Sequence, residues 1–220
     1  MDPPVEVEVE AAEVRGSRPQ CSEPRGRHTY DGRMFLRESE EGRRIAPHLE
    51  AGQTMLDLGA GTGFMARWLQ ARTSVRPTLC DLVDYSNRNR NLPFIHQTDP
   101  GHVPVEDGSF DVVLLMFVFH HIARWEDQER LLDEAVRVAR HRIVITEDTP
   151  TSKLDRACNV AWDWVLNLRH GVPTPFTFRS ADEWIGLFKA RSLSIAHAEV
   201  YRPWWPTLGT YHHGLFVLDR

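Results

Sequence analysis

Apolar and polar positions alternate along this chain in short blocks separated by turn-forming residues. Thr54 to Leu58 reads as a short buried strand and Phe64 to Ala71 as a helix. Pro77 to Leu82 is a second strand, Phe94 to His96 a weak third, and Asp111 to Phe117 the most apolar of the series. Glu126 to Ala139 has helical spacing, with Leu131, Leu132, Ala135, Val136 and Val138 as its apolar positions, and Arg142 to Glu147 is a further strand. Strands that alternate with helices and are rich in β-branched residues imply an α/β fold, a parallel sheet with helices on both faces.

The pattern changes at both ends. A helix is expected around Gly32 to Leu49, and residues 1–25 stand apart from everything that follows. Within them Val5-Glu6-Val7-Glu8-Val9-Glu10 alternates like a strand, but its carboxylates repel and prolines surround it. The segment reads as a disordered acidic tail, with an edge strand as the alternative. After Pro150, Ser152 to Arg169 has the pattern of a long helix carrying Trp162 and Trp164, followed by a loop rich in proline and aromatic residues, 172–178. Ser180 is a candidate N-cap for a helix over Ala181 to Ala190, and strands are expected near Leu193 to Val200 and Gly214 to Leu218.

Composition narrows the classes. The chain has 220 residues, enough for one domain with a substantial core. A net charge of −5 gives no general attraction to nucleic-acid phosphate. Three widely spaced cysteines, Cys21, Cys80 and Cys158, indicate neither a disulfide framework nor a cysteine zinc site. The longest apolar stretch, Val112 to Phe119, is too short to span a bilayer, and no secretory signal is recognisable. A cytoplasmic setting is the default expectation.

The candidate chemistry lies in Met55-Leu56-Asp57-Leu58-Gly59-Ala60-Gly61-Thr62-Gly63-Phe64. A buried strand enters a turn with glycine at alternate positions, and a helix opens directly after it. Glycine permits the tight turn and removes the Cβ atoms that would keep a ligand from the backbone, while the helix N-terminus offers free N–H groups. A purely structural turn is the competing reading. A dinucleotide fingerprint would need glycine where Phe64 stands, and no Gly-Lys-Ser/Thr follows for a P-loop. Asp57 would oppose a pyrophosphate, so the loop suits a ligand with positive charge and hydroxyls. Asp81, at the end of the second strand, is placed to accept hydrogen bonds from a ribose; Asp84 competes for that role.

Four segments resemble, in order, the motifs of class I S-adenosylmethionine-dependent methyltransferases. Leu56 to Gly63 is similar to the first motif, (E/D)xGxGxG, and Asp81-Leu82 to the second. Thr98-Asp99 with Val103 to Asp111 resembles the run ending in DGSFD, and Phe117-Val118-Phe119-His120-His121-Ile122 the ending of strand four in the small-molecule branch. The resemblance covers roughly residues 30–148. Pro100-Gly101-His102 departs from the usual stretch after Asp99, and Ala139-Arg140-His141 replaces the Gly-Gly turn before strand five.

The resemblance implies a Rossmann-like fold with a mostly parallel seven-stranded sheet over residues 26–220, residues 150–180 forming a substrate lid. It implies S-adenosyl-L-methionine as cofactor, held by Tyr30, Asp57, Gly59, Ala60, Gly61, Gly63, Asp81, Leu82, Asp99, Met116 and Phe117. Leu82 would pack on adenine, Asp99 would bond its amino group, and Met116 and Phe117 would line the methionine end. His121 and then His120 are the candidate catalytic residues, placed at the ligand-binding edge of the sheet where an imidazole can remove a proton. A packing role for the pair competes with this. No metal site is expected, because adjacent histidines diverge and no nearby carboxylate completes a set with His120, His121, His212 and His213. Trp162, Trp164, Phe176, Phe178, Trp204 and Trp205 are either acceptor surface or core, and Glu147-Asp148 should be exposed or partnered. The expected partner is a small-molecule acceptor, with no nucleic acid and no membrane; a non-catalytic cofactor-binding scaffold and a methyltransferase acting on RNA or protein are the alternatives. Oligomeric state is not legible.

Overall fold

The computed structural model describes residues 40–85, 87–167, 175–204 and 209–220, and the side chains of these except 165–167. The acidic tail, Tyr30, Arg169 and Trp205 lie outside the described residues. Helical residues 40–45 (α1) run into a 3-10 turn, Ala46–His48. Then come β1 (Thr54–Leu58), α2 (Phe64–Thr73), β2 (Arg76–Asp81), β3 (Phe94–His96), β4 (Phe110–Met116), a 3-10 turn Phe119–His121, and α3 (Trp125–Val138). The chain continues through β5 (Ala139–Asp148), α4 (Lys153–Asn167), α5 (Ala181–Ala190), β6 (Ser194–Tyr201) and β7 (His213–Asp219).

The seven strands form one sheet in the order β3-β2-β1-β4-β5-β7-β6. Strands β1 to β5 are mutually parallel, and β7 runs antiparallel to both β5 and β6. The order reverses between β1 and β4, and the crevice beyond their C-terminal ends is where open α/β sheets bind ligands.

Period-two alternation decides which residues meet which layer. In β4, Val113 and Leu115 pack with α3 and α5 residues such as Leu131, Leu132, Trp184 and Phe188. Val112 and Leu114 pack on the opposite face with Ile45, Met65, Trp68 and Leu69 of α1 and α2. Because both faces are covered, the strand is apolar from Val112 to Met116, as its sequence suggests. The α5 cap forms as expected: the Ser180 hydroxyl accepts from Glu183 N–H while the Glu183 carboxylate accepts from Ser180 N–H, a capping box.

One expectation needs correction. No turn separates α3 from β5; Ala139 is at once the C-cap of α3 and the first residue of the strand, paired with Phe110. Helix α4 is inverted, its polar face turned inward. Asp155, Asn159 and Asp163, at i, i+4 and i+8, lie on its buried face, whereas Leu154 is 76% and Trp164 53% exposed. Trp162 is half-buried and donates its Nε1–H to Thr210 Oγ1 at 2.9 Å; of the other lid aromatics, Phe178 is core and Trp204 is 70% exposed.

Candidate active site

The glycine loop is built by β1 and β2. Gly59 and Ala60 N–H both donate to the Cys80 carbonyl (2.8 and 3.1 Å), and Gly61 N–H donates to Asp81 Oδ2 at 2.8 Å. The other oxygen of Asp81 accepts from Val83 N–H at 2.9 Å. The carboxylate at the end of β2 thus ties the loop to the neighbouring strand.

The three glycines are needed for different reasons. All have positive φ. A Cβ on Gly59 would stand 2.6 Å from Val118 Cγ2 and one on Gly63 2.4 Å from Leu79 Cδ1, so both are fixed by packing. A Cβ on Gly61 meets nothing within 4 Å. Its bare backbone faces open space, a cradle of the kind an adenosine cofactor's close approach requires. Gly63→Ala is therefore expected to lower the melting temperature by about 5 °C or more through overpacking. Gly61→Ala should cost only about 1 kcal/mol in the fold, for its left-handed φ, yet weaken S-adenosylhomocysteine binding at least about tenfold. Thermal denaturation and calorimetry of the two variants separate the effects.

Asp57 is 3% exposed at the end of β1. Burial, reinforced by the charge of Asp81, pushes its pKa up to about 7. Burial also raises Asp81, partly offset by hydrogen bonds from Val83, Gly61 and Leu82. Two carboxylates sharing a poorly solvated site suit a ligand bringing positive charge and hydroxyl donors.

Beyond the loop, Leu82, Asp99 and His121 line one cleft of about 430 Å³, together with Pro100, Gly101, Ile122, Asp127 and Arg130. Three predicted site residues from separate segments therefore converge. Leu82 is 44% exposed and offers an apolar face for a ring. The stretch after Asp99 turns tightly, with Gly101 N–H donating to Asp99 Oδ1 at 2.8 Å. At the end of β4, Met116 is half-buried, and Phe117 has φ 56°, a left-handed conformation rare for a bulky residue. Its ring packs 6.4 Å from His120 and 4.7 Å from His213.

His120 and His121 do not diverge; their ring centroids are 4.0 Å apart. His120, 4% exposed, donates Nδ1–H to Glu147 Oε2 at 2.8 Å, and Glu147 Oε1 accepts from Phe119 N–H at 2.9 Å. Burial alone would lower the His120 pKa, but the Glu147 carboxylate outweighs it and holds the ring at about 9. His120 Nε2 faces Asp163 of α4 at 3.7 Å. The expectation that no carboxylate stands near the pair was drawn from neighbours in sequence, and α4 supplies one from forty residues on. Glu147 and Asp148 are buried and partnered. Asp148 faces His213 Nε2 at 3.2 Å, and His213 Nδ1–H donates to Glu41 at 2.9 Å. Tyr201 also donates to Glu41, and His212 Nδ1–H donates to Asp155 of α4 at 2.8 Å.

Glu41 and Asp163 were missed from sequence, and His213 was weighed only as a member of a metal set. The spacing Asp155–Asn159–Asp163 on one helical face was the available signal; Glu41 offered none.

Residues 56–143 match the family model described as a methyltransferase domain. Among curated proteins none matches the sequence. Solved structures share the fold. One is a chain from the complex between the Haloferax volcanii Trm112 methyltransferase activator and a methyltransferase: 19% identical, TM-score 0.66, covering 84% of this chain and 90% of that one. Another is Burkholderia thailandensis 1,6-didemethyltoxoflavin-N1-methyltransferase with bound 1,6-didemethyltoxoflavin and S-adenosylhomocysteine: 16%, TM-score 0.63, 83% and 77%. A SAM-dependent methyltransferase from Aquifex aeolicus is 17% identical with TM-score 0.59, over 86% and 93%. At such identities these likenesses speak for architecture, while the family match falls on the strands and loop that build the site. Residues 56–143 thus match a methyltransferase domain, set in a fold shared with S-adenosylmethionine-dependent methyltransferases.

Proposed function

We propose that the protein transfers a methyl group to a small-molecule acceptor held beneath α4. The observation that carries this reading is the cover over the end of β4. Phe178 packs 5.7 Å from the His120 ring, Thr177 Oγ1 donates to the Ile122 carbonyl at 2.6 Å, and Asp163 closes the side toward α4. A folded macromolecule would need this edge open.

When bound, the cofactor supplies an activated methyl group and its own leaving group. The chain's part is to hold two reactants in line. Gly59, Ala60, Gly61 and Gly63, with Asp57 and Asp81, would hold the methionine and ribose portions, Leu82 and Asp99 the adenine, and Met116 and Phe117 the methionine side, with Tyr30 as a further contact. His121, half-buried and lining the cleft, is the group placed to touch an acceptor. His120 is a positioning residue, its Nδ1 committed to Glu147. The unbridged Cys80 and Cys158 fit a reducing cytoplasm. Among the described residues no helix is long and apolar enough to cross a membrane.

The test is incubation of the protein and methyl-labelled S-adenosylmethionine with a fractionated cell extract. Label is expected in the low-molecular-mass fraction. A second reading, action on RNA or protein with an activator subunit, draws on the likeness to the chain from the Trm112 complex. Label in macromolecules would favour it, and cofactor binding with no labelled product would favour a scaffold.

A further inference from the structure

The geometry points to a divalent transition-metal site formed by His120, His121 and Asp163 at the acceptor end of the site. Their ligand atoms, one per residue, all lie within 4.8 Å of one another. His120 Nε2 and Asp163 Oδ1, 3.7 Å apart, are too distant for a hydrogen bond. A tetrahedral ion with bonds of about 2.0–2.2 Å would set two ligands about 3.3–3.5 Å apart, so a few tenths of an ångström of adjustment brings both onto one ion.

Three further observations favour a ligand here over a simple ion pair. Glu147 accepts the Nδ1–H of His120, which leaves Nε2 as the nitrogen that an ion would take, in exchange for its proton; this carboxylate–histidine arrangement recurs behind metal-bound imidazoles. Asn159 lies one helical turn before Asp163 on the same inward face. It is fully buried, and among the described residues neither its Oδ1 nor its Nδ2 finds a hydrogen-bond partner. A buried amide with both ends unmet costs on the order of 1–3 kcal/mol and calls for an occupant such as a metal-bound water. Finally, four buried carboxylates (Glu41, Glu147, Asp148, Asp163) surround two buried imidazoles (His120, His213), with Arg44 beside Glu41. The inverted α4 acquires a reason: its polar face is turned inward to complete this site.

Two imidazoles and one carboxylate are ligands for zinc, iron(II), manganese or cobalt, and three protein ligands leave a position open for an oxygen. What that oxygen belongs to rests on the proposed acceptor reading; the binding of the ion does not.

The test uses cobalt(II) alone, added to the full chain after chelation and followed by its visible absorption and by equilibrium dialysis. One ion per chain is expected. His121→Gln, at a half-buried position, should weaken binding at least about tenfold, as should Asp163→Asn, which keeps the side-chain volume. Thermal stabilisation by S-adenosylhomocysteine, measured on the chelated protein, reports the cofactor site separately. Retained stabilisation with no cobalt binding would overturn the metal site and leave the methyltransferase reading standing. Cobalt bound equally by wild type and both variants would place the ion elsewhere and equally overturn it.

Discussion

Asp57→Asn should yield a protein that melts higher than the wild type at pH 7.5 and no longer binds S-adenosylhomocysteine. Asp57 is buried at the end of β1, and the groups facing it are Asp81 and Cys80 of β2. Burial and the Asp81 charge push its pKa to about 7, against 3.8 for a free side chain. The sign follows from linkage: the folded protein keeps a proton that the unfolded chain releases, so this group removes stability as the pH rises from about 4 to about 7, and the cost stays constant above that. Asparagine cannot ionise and escapes it. Converted at 1.36 kcal/mol per pH unit, and discounted for the coupling to Asp81, the gain is about 2–4 kcal/mol, or about 5–10 °C for a chain of this size. The two melting curves should converge as the pH approaches 4. Such a cost persists where function needs the charge. On the proposed reading Asp57 meets the cationic end of the cofactor, so wild-type affinity should rise between pH 6 and 8 while the variant stays weak throughout. An Asp57→Asn variant that is less stable at pH 8 and binds normally would remove Asp57 from the site.

Strand and helix positions were legible because this sheet is covered on both faces, which makes its central strands apolar throughout; β3 and α5 fall on the predicted residues. Errors gather where charge hides the pattern. The first residues of β5, Ala139-Arg140-His141, carry no hydrophobic signal, and only their pairing with β4 makes them strand. The glycine loop was readable because its chemistry is local: turn, cradle and helix start are contiguous in sequence. Leu82, Asp99 and His121 could be named singly, but their convergence on one cleft is tertiary. The polar cluster was harder still. Glu41 and Asp163 each look like ordinary solvated residues, since charged side chains are rarely buried unless paired, and their partners lie far away in the chain. On α4 the usual inference fails outright. Tryptophans on a helix suggest a buried face, yet it is Asp155, Asn159 and Asp163 that turn inward.

Truncating Glu147 to alanine should unfold the protein more readily than any change on its surface. The side chain is 1% exposed and both oxygens are engaged, one by Phe119 N–H at 2.9 Å and the other by His120 Nδ1–H at 2.8 Å. These two bonds fix the chain just after β4, where the backbone passes through the left-handed conformation of Phe117. Alanine would leave a buried N–H and a buried imidazole without an acceptor, and removing one partner of a buried pair costs about 3–5 kcal/mol. The melting temperature should fall by about 10 °C, against almost no change for Glu106→Ala on the exposed loop before β4. Glu147→Gln isolates the positioning role from the structural one. Its amide oxygen can still accept from Phe119 N–H, so the fold survives, but its NH₂ donates to Nδ1 and drives His120 into the Nε2–H tautomer. Long-range ¹H–¹⁵N spectra read that change directly. With Nε2 protonated toward Asp163, the variant should lose cobalt binding while S-adenosylhomocysteine still stabilises it. A melting temperature within about 2 °C of wild type for Glu147→Ala would mean that the loop after β4 is held by other contacts, and Glu147 would no longer explain how the histidine pair is presented.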